Sequence, residues 1–132
     1  MSIDFSGSWR ADVEKSRFRG PAPDAITMEI THCDPDLRQE MVVTSPSGAQ
    51  DQIVFQCRTN GQRDGCLLNG TPIRCRAGWE GKELIIESWL QAGPREMHFR
   101  DCWSLSPDGK SLAMEHRDGD LAGQITVFGR VE

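Results

Sequence analysis

The stretch Phe5-Ser6-Gly7-Ser8-Trp9 near the N-terminus, together with Arg130 near the C-terminus, decides the fold of this 132-residue chain. Residues 5–9 lie at the start of the first strand-like segment, and Arg130 belongs to the last strand-like segment. In a closed β-barrel the first and last strands pair, because closure leaves no unpaired edge. A Trp on one strand and an Arg on the other can then stack, ring against guanidinium. The pair therefore predicts a closed barrel.

Apolar and polar residues alternate in about ten short segments, which is the period of half-buried strands. Turn sequences such as Asn69-Gly70 separate them at intervals of 8–12 residues. No segment is long enough for a crossover connection, so strands adjacent in sequence should pair. We predict an all-β fold, a single antiparallel up-and-down barrel of about 8–10 strands, as one domain spanning residues 1–132. Residues 14–24 contain two prolines and form a candidate lid or plug over one mouth.

One segment, residues 83–90, leaves its inward face undecided. Either Leu84, Ile86, Ser88 and Leu90 point inward, or Ile85, Glu87 and Trp89 do. If Ile85 and Trp89 stay outside, this exposed apolar pair could mark a homodimer interface.

The charge balance of 15 basic and 20 acidic residues gives a net charge of −5. Nucleic acids and anionic membrane surfaces require a basic face, so neither is expected as a partner. No stretch has the roughly 18 apolar residues of a membrane span, and residues 1–4 lack the features of a signal peptide. We therefore expect a cytoplasmic protein.

The five cysteines are odd in number and lack the paired spacing of a zinc site. Most lie in apolar stretches, where a free Cys acts as a small core residue, and one reactive thiol is the alternative. The three histidines are scattered without ligand spacing, so we expect no metal and no cofactor. The cysteines are Cys33, Cys57, Cys66, Cys75 and Cys102.

Three motifs carry a family resemblance. Gly7-Ser8-Trp9 with Arg130 resembles the signature of the calycins, which include lipocalins and cytoplasmic fatty-acid-binding proteins. Residues 79–83 and 127–131 resemble a turn and the C-terminal strand of fatty-acid-binding proteins. The overall layout, especially residues 9–16 and 103–110, resembles bacterial lipocalin-like domains more closely. The resemblance implies a barrel whose cavity holds a small molecule.

The sequence also departs from that family. Fatty-acid-binding proteins usually place a helix pair after strand one, where this chain has the proline-broken residues 14–24. They also anchor a fatty-acid carboxylate with an Arg-x-Tyr on the last strand. The matching positions here are Thr126-Val127-Phe128, so the cation is missing. A fatty acid held by that anchor is therefore not expected.

Asp101 and His116 form the candidate chemical pair. If Met97, Phe99 and Trp103 point inward, Asp101 does too, and alternation places His116 inward on the next antiparallel strand. A carboxylate that fixes an imidazole tautomer is a usable general base. The alternative is that both residues lie near a rim and satisfy ordinary hydrogen bonds.

The leading functional hypothesis is a binding protein for a small hydrophobic or amphipathic molecule. The second is a cofactor-free isomerase, cyclase or hydrolase that uses Asp101 and His116 as acid and base. The third is an interaction domain whose barrel is filled by its own side chains, as barrel interiors often are. The candidate ligand-binding residues are Trp9, Met28, Met41, Phe55, Trp79, Phe99, Trp103, Met114, Phe128 and Arg130.

Overall fold

The computed structural model describes residues 3–18, 22–61, 66–118 and 123–131. Within these ranges ten antiparallel strands close into one barrel, and every pair of sequence neighbours is hydrogen-bonded. No helix in the described ranges is long and apolar enough to cross a membrane. The predicted all-β up-and-down barrel is confirmed. The strands are β1 (Gly7–Ala11), β2 (Ala25–Cys33), β3 (Asp36–Thr44), β4 (Gln50–Arg58), β5 (Cys66–Leu68), β6 (Thr71–Glu80), β7 (Glu83–Ala92), β8 (Arg95–Leu105), β9 (Ser111–Asp118) and β10 (Gln124–Arg130).

The first and last strands close the barrel through the pair that the sequence singled out. Trp9 of β1 lies opposite Arg130 of β10, and the guanidinium carbon is 4.3 Å from the centre of the indole ring. Arg130 also donates hydrogen bonds to the carbonyls of Ser6 (2.8 Å) and Gly109 (3.1 Å). Gly7 has a φ of 140°, and a Cβ at this position would collide with the Arg130 guanidinium. Glycine at position 7 is thus needed for both its conformation and its lack of a side chain.

An aromatic cluster fills this end of the barrel, which we call the closed end. Phe5 is fully buried, and its ring lies 5.5–5.7 Å from the rings of His32, Trp79 and Trp103. The Trp9 indole donates a hydrogen bond to the Phe5 carbonyl at 3.0 Å. The segment before β1 therefore belongs to the core, although it lies outside the strand, which we expected to begin at Phe5.

His32 is the buried polar centre of the closed end, and its side chain is 1% exposed. Its Nδ1 accepts a hydrogen bond from the Phe5 amide at 3.0 Å, so the ring proton must lie on Nε2. Nε2 then donates to Asp34 at 2.5 Å, and Asp34 also accepts from Thr59 at 2.8 Å. His32 thus ties the N-terminal segment to the β2–β3 turn.

Two cysteines form a disulfide, which corrects the expectation that the cysteines are free. Cys66 of β5 and Cys75 of β6 are bonded, with their Cα atoms 6.1 Å apart, and both are buried. The strands are antiparallel neighbours and both side chains face inward, which brings two residues nine positions apart within bonding range. Disulfides are rare in the reducing cytosol, so this bond counts against the expected cytoplasmic location. The location itself stays a prediction.

The structure also decides the face of β7. Leu84 and Ile86 are buried, and Ile86 and Leu90 face the barrel interior. Ile85 and Trp89 lie outside and are partly covered. Trp89 stacks on His98 at 5.3 Å and lies under the Arg74 guanidinium at 5.9 Å.

Candidate functional site

The end of the barrel opposite the closed end contains a cavity of about 790 Å³. We call this end the mouth, where the β3–β4 turn contributes Ser45 and Pro46 to the cavity wall. The connection between β1 and β2 adds Phe18, Ala22 and Pro23. These residues lie where a lid or plug was expected, and its action as a lid stays a prediction. Residues 19–21 of that connection lie outside the described part of the chain.

The cavity wall is mainly apolar because the residues that point inward from most strands are themselves apolar. Strands carry one face of side chains to the interior, and here those faces are rich in aliphatic, aromatic and Met residues. The apolar wall consists of Phe18, Ala22, Pro23, Ile26, Met41, Val43, Pro46, Ile53, Phe55, Leu68, Ile73, Ile86, Leu90, Phe99, Trp103, Met114 and Phe128.

A short polar row crosses this wall on β8, β9 and β10. Asp101 lies opposite His116, and His116 lies opposite Gln124. The His116 Nδ1 is 2.7 Å from the Asp101 Oδ1, and the Phe99 ring stacks on the imidazole at 5.4 Å. All four residues line the cavity. The alternation that placed Asp101 and His116 on one inward face thus predicted a real contact.

The donor and the acceptor in the contact between Asp101 and His116 follow from their chemistry. A carboxylate can only accept, so Nδ1–H is the donor and Asp101 fixes the tautomer of a neutral His116. The side chains of Asp101 and His116 are 27% and 42% exposed, so neither is locked in the core. This is the geometry of an orienting polar group or of an acid–base pair inside an apolar chamber.

Most of the residues expected to bind ligand do line the cavity: Met41, Phe55, Phe99, Trp103, Met114 and Phe128, together with Asp101 and His116. Trp9, Met28, Trp79 and Arg130 lie elsewhere. Trp9, Trp79 and Arg130 belong to the closed end, where they pack against Phe5 or bind its neighbours. Alternation gives the direction of a side chain but not its depth along the barrel axis, which is why these residues were included.

Met28 lies below the cavity, and the Gln39 side chain separates Met28 from it. The Gln39 amide nitrogen is 3.4 Å from the Met28 sulfur and 4.0 Å from the Met114 sulfur. Gln39 is on β3 and Met114 on β9, which are four strands apart around the ring (β3, β2, β1, β10, β9), so this contact crosses the interior. Gln39 therefore forms part of the cavity floor.

Several polar lining residues were not among the candidate ligand-binding residues predicted from the sequence. They are Gln39, Ser45, Ser88, Gln124 and Thr126. The alternation that indicates Met41 and Phe55 also points Gln39 inward, but only aromatic, Met and ionisable residues were predicted to contact a ligand. Thr126 and Phe128 both face the cavity, so the positions that match the fatty-acid anchor hold no cation.

The remaining thiols do not add a reactive group to the cavity. Burial raises the pKa of the Cys57 thiol to about 12. Burial, followed by the hydrogen bond to Glu83 at 2.8 Å and its charge, raises the pKa of Cys102 to about 12. Cys33 is exposed on the outer face of β2. In the described ranges no three His, Cys, Asp or Glu side chains come together in a way that could hold a metal ion.

Comparison with solved structures finds the same architecture. The chain superposes on a point mutant of the fluorescent protein UnaG with a TM-score of 0.64 at 13% identity, covering 97% of this chain and 96% of that one. It superposes on apo lipid binding protein 8 of Caenorhabditis elegans with a TM-score of 0.66 at 10% identity, covering 96% and 95%. No family model matches the sequence, and no curated protein matches it either. The predicted calycin-like barrel, of the fatty-acid-binding-protein type, is confirmed at the level of the fold.

Proposed function

We propose that this calycin-type barrel binds a small hydrophobic or amphipathic molecule in its cavity. The observation that carries the proposal is the chamber of about 790 Å³ with a mainly apolar wall and a few polar groups gathered on one side. Small-molecule sites have this size and composition, with apolar burial giving affinity and polar groups giving orientation. A barrel filled by its own side chains would leave no such space.

The comparisons support this proposal through the fold. One structural neighbour is by name a lipid binding protein, and this chain covers almost all of it. The ligand site of this chain would comprise the apolar wall around Met41, Phe55 and Phe99, with Asp101 and His116 as orienting groups.

The proposal is tested with the neutral fluorophore N-phenyl-1-naphthylamine, whose emission rises in an apolar site. We expect the wild type to bind it saturably and Ser88→Trp to weaken binding by more than about tenfold, because an indole at position 88 would occupy the chamber. Thr31→Trp is the matched control, since Thr31 lies on the exposed outer face of β2. Binding that is unchanged by Ser88→Trp would place the fluorophore outside the cavity and contradict the proposal.

A second candidate function rests on the 2.7 Å contact between His116 and Asp101. An imidazole oriented by a carboxylate can act as a general base, which contributes about 10²–10⁴-fold to a rate. If the barrel is a hydrolase, it should cleave 4-nitrophenyl butyrate above background, and His116→Ala should lower kcat by about that factor. His98→Ala, on the outer face beside Glu87, should keep the rate. Turnover that survives His116→Ala would rule out the pair as the catalyst.

A further inference from the structure

We infer that the cavity selects amphiphiles whose polar end is cationic or a neutral hydrogen-bond donor, such as a primary amine or an alcohol, and discriminates against carboxylates. This inference rests on the proposed function and concerns the head group of the molecule that the same cavity holds.

The first step is the charge of the cavity wall. Among the described residues that line it, Asp101 and His116 are the only ionisable side chains. Their pair carries a net charge of −1 when the imidazole is neutral and 0 when it is protonated. In neither state does the wall carry a net positive charge, so a ligand carboxylate would enter an apolar chamber without a compensating cation.

The second step is the position of Arg74 and Arg76 on β6, which are turned away from the cavity. On β6 the buried Cys75 and Ala77 face inward, so Arg74 and Arg76 face outward. There Arg74 binds Glu96 at 2.7 Å and Arg76 binds Glu87 at 3.1 Å. These outer ion pairs keep the guanidinium groups on the far side of the wall.

Arg130 is the one arginine that the sequence analysis placed near the ligand, but its guanidinium makes its contacts at the closed end. Its guanidinium lies over the Trp9 ring and donates to the carbonyls of Ser6 and Gly109 at the closed end. The cavity begins above this layer, at Trp103 and Phe128. Arg130 therefore stabilises closure and does not face the chamber.

The third step is the capacity of Asp101 to accept a ligand proton donor. One carboxylate oxygen receives Nδ1–H of His116, and a carboxylate has about four acceptor positions on its two oxygens. Asp101 is flanked by Ile86 on β7 and by Trp103 two residues along β8. In such apolar surroundings the attraction between a carboxylate and an ammonium group is stronger than in water.

The inward-facing charged residues at the strand ends around the mouth are mainly acidic. Asp118 pairs with Phe99 and Asp51 pairs with Val43, so both share the inward face of lining residues. Arg95, in the pair with Ala92 at the end of β8, is the basic side chain on the inward alternation there, and it is exposed. Two acidic groups against one basic group favour the entry of a cation.

The test compares three ligands with the same twelve-carbon chain: dodecylamine, dodecanol and dodecanoate. Each is used to displace N-phenyl-1-naphthylamine from the wild type at pH 7.5 and 0.15 M salt. The amine and dodecanoate stay below their critical micelle concentrations, and the alcohol stays below its solubility limit. We expect the amine to displace the fluorophore at a concentration at least about tenfold lower than dodecanoate, with the alcohol between them. At this ionic strength the Debye length is about 8 Å, so the remote surface charge contributes little.

Asp101→Asn and Asp36→Asn separate the local charge from the net charge. Both remove one negative charge, but Asp36 lies on the outer face with its side chain 78% exposed. Asp101→Asn should reduce the amine preference over dodecanoate to less than about threefold, and Asp36→Asn should keep it. If dodecanoate binds the wild type as tightly as the amine does, the head-group inference is wrong while the proposed function stands. If neither the fluorophore nor any of the three ligands binds, both fail.

Discussion

Replacing Trp9 by alanine is expected to lower the free energy of unfolding by about 3–5 kcal/mol, the usual cost of truncating a buried aromatic residue. Trp9 is fully buried, donates a hydrogen bond to the Phe5 carbonyl and stacks on Arg130. The substitution therefore removes packing, a hydrogen bond and the cation–π contact at the seam where the barrel closes. Urea denaturation followed by far-ultraviolet circular dichroism measures the loss.

Trp89→Ala is the matched control, because Trp89 lies on the outer face of β7 against His98 and Arg74. We expect it to cost about 1 kcal/mol or less. If Trp9→Ala prevents folding, Trp9→Phe keeps most of the ring and loses the hydrogen bond, at about 1–2 kcal/mol. Equal losses for Trp9→Ala and Trp89→Ala would contradict the role assigned to the closing pair.

His32→Ala is expected to cost about 3 kcal/mol, since it leaves the Phe5 amide without its acceptor and opens space beneath Trp79. Asp34 also loses its contact with the imidazole and keeps the one with Thr59. The same denaturation measurement applies, with Trp fluorescence as a second probe because Trp79 stacks on His32 at 5.9 Å.

His98→Ala provides the comparison for His32→Ala. His98 is 42% exposed in its side chain and binds Glu87 on the outer face at 3.0 Å, so its removal should cost less than about 1 kcal/mol. His32→Asn retains an acceptor near the Phe5 amide and should recover part of the loss. A His32→Ala protein as stable as His98→Ala would show that the buried imidazole is dispensable.

The sequence predicted the features that depend on alternation between regular strands. Asp101 and His116 lie on long, uninterrupted β8 and β9, so their shared face followed from counting by two. The closing contact between Trp9 and Arg130 followed from the need to pair the first and last strands. The first follows from a local pattern and the second from the general rule of barrel closure, so both can be predicted from a single sequence.

Depth along the barrel axis could not be read in the same way. Trp79 and Phe99 both point inward, but Trp79 stacks on Phe5 at the closed end and Phe99 lines the cavity. The difference depends on strand stagger around the ring, which no local pattern contains. The Cys66–Cys75 bond and the burial of His32 also depend on contacts formed only after the strands pair.

The cross-barrel contact of Gln39 with Met114 separates two regions of the interior, one that stabilises the fold and one that contains the cavity. Below this contact lie the aromatic cluster and the Trp9–Arg130 seam, which stabilise the fold. Above it lies a chamber whose wall side chains leave space between them. Folding and ligand choice therefore make demands on largely different residues of one short chain, with Trp103 shared between the aromatic cluster and the cavity wall. Such a scaffold can acquire a new ligand by substitution of wall residues, while the closed-end contacts that stabilise the barrel stay constant.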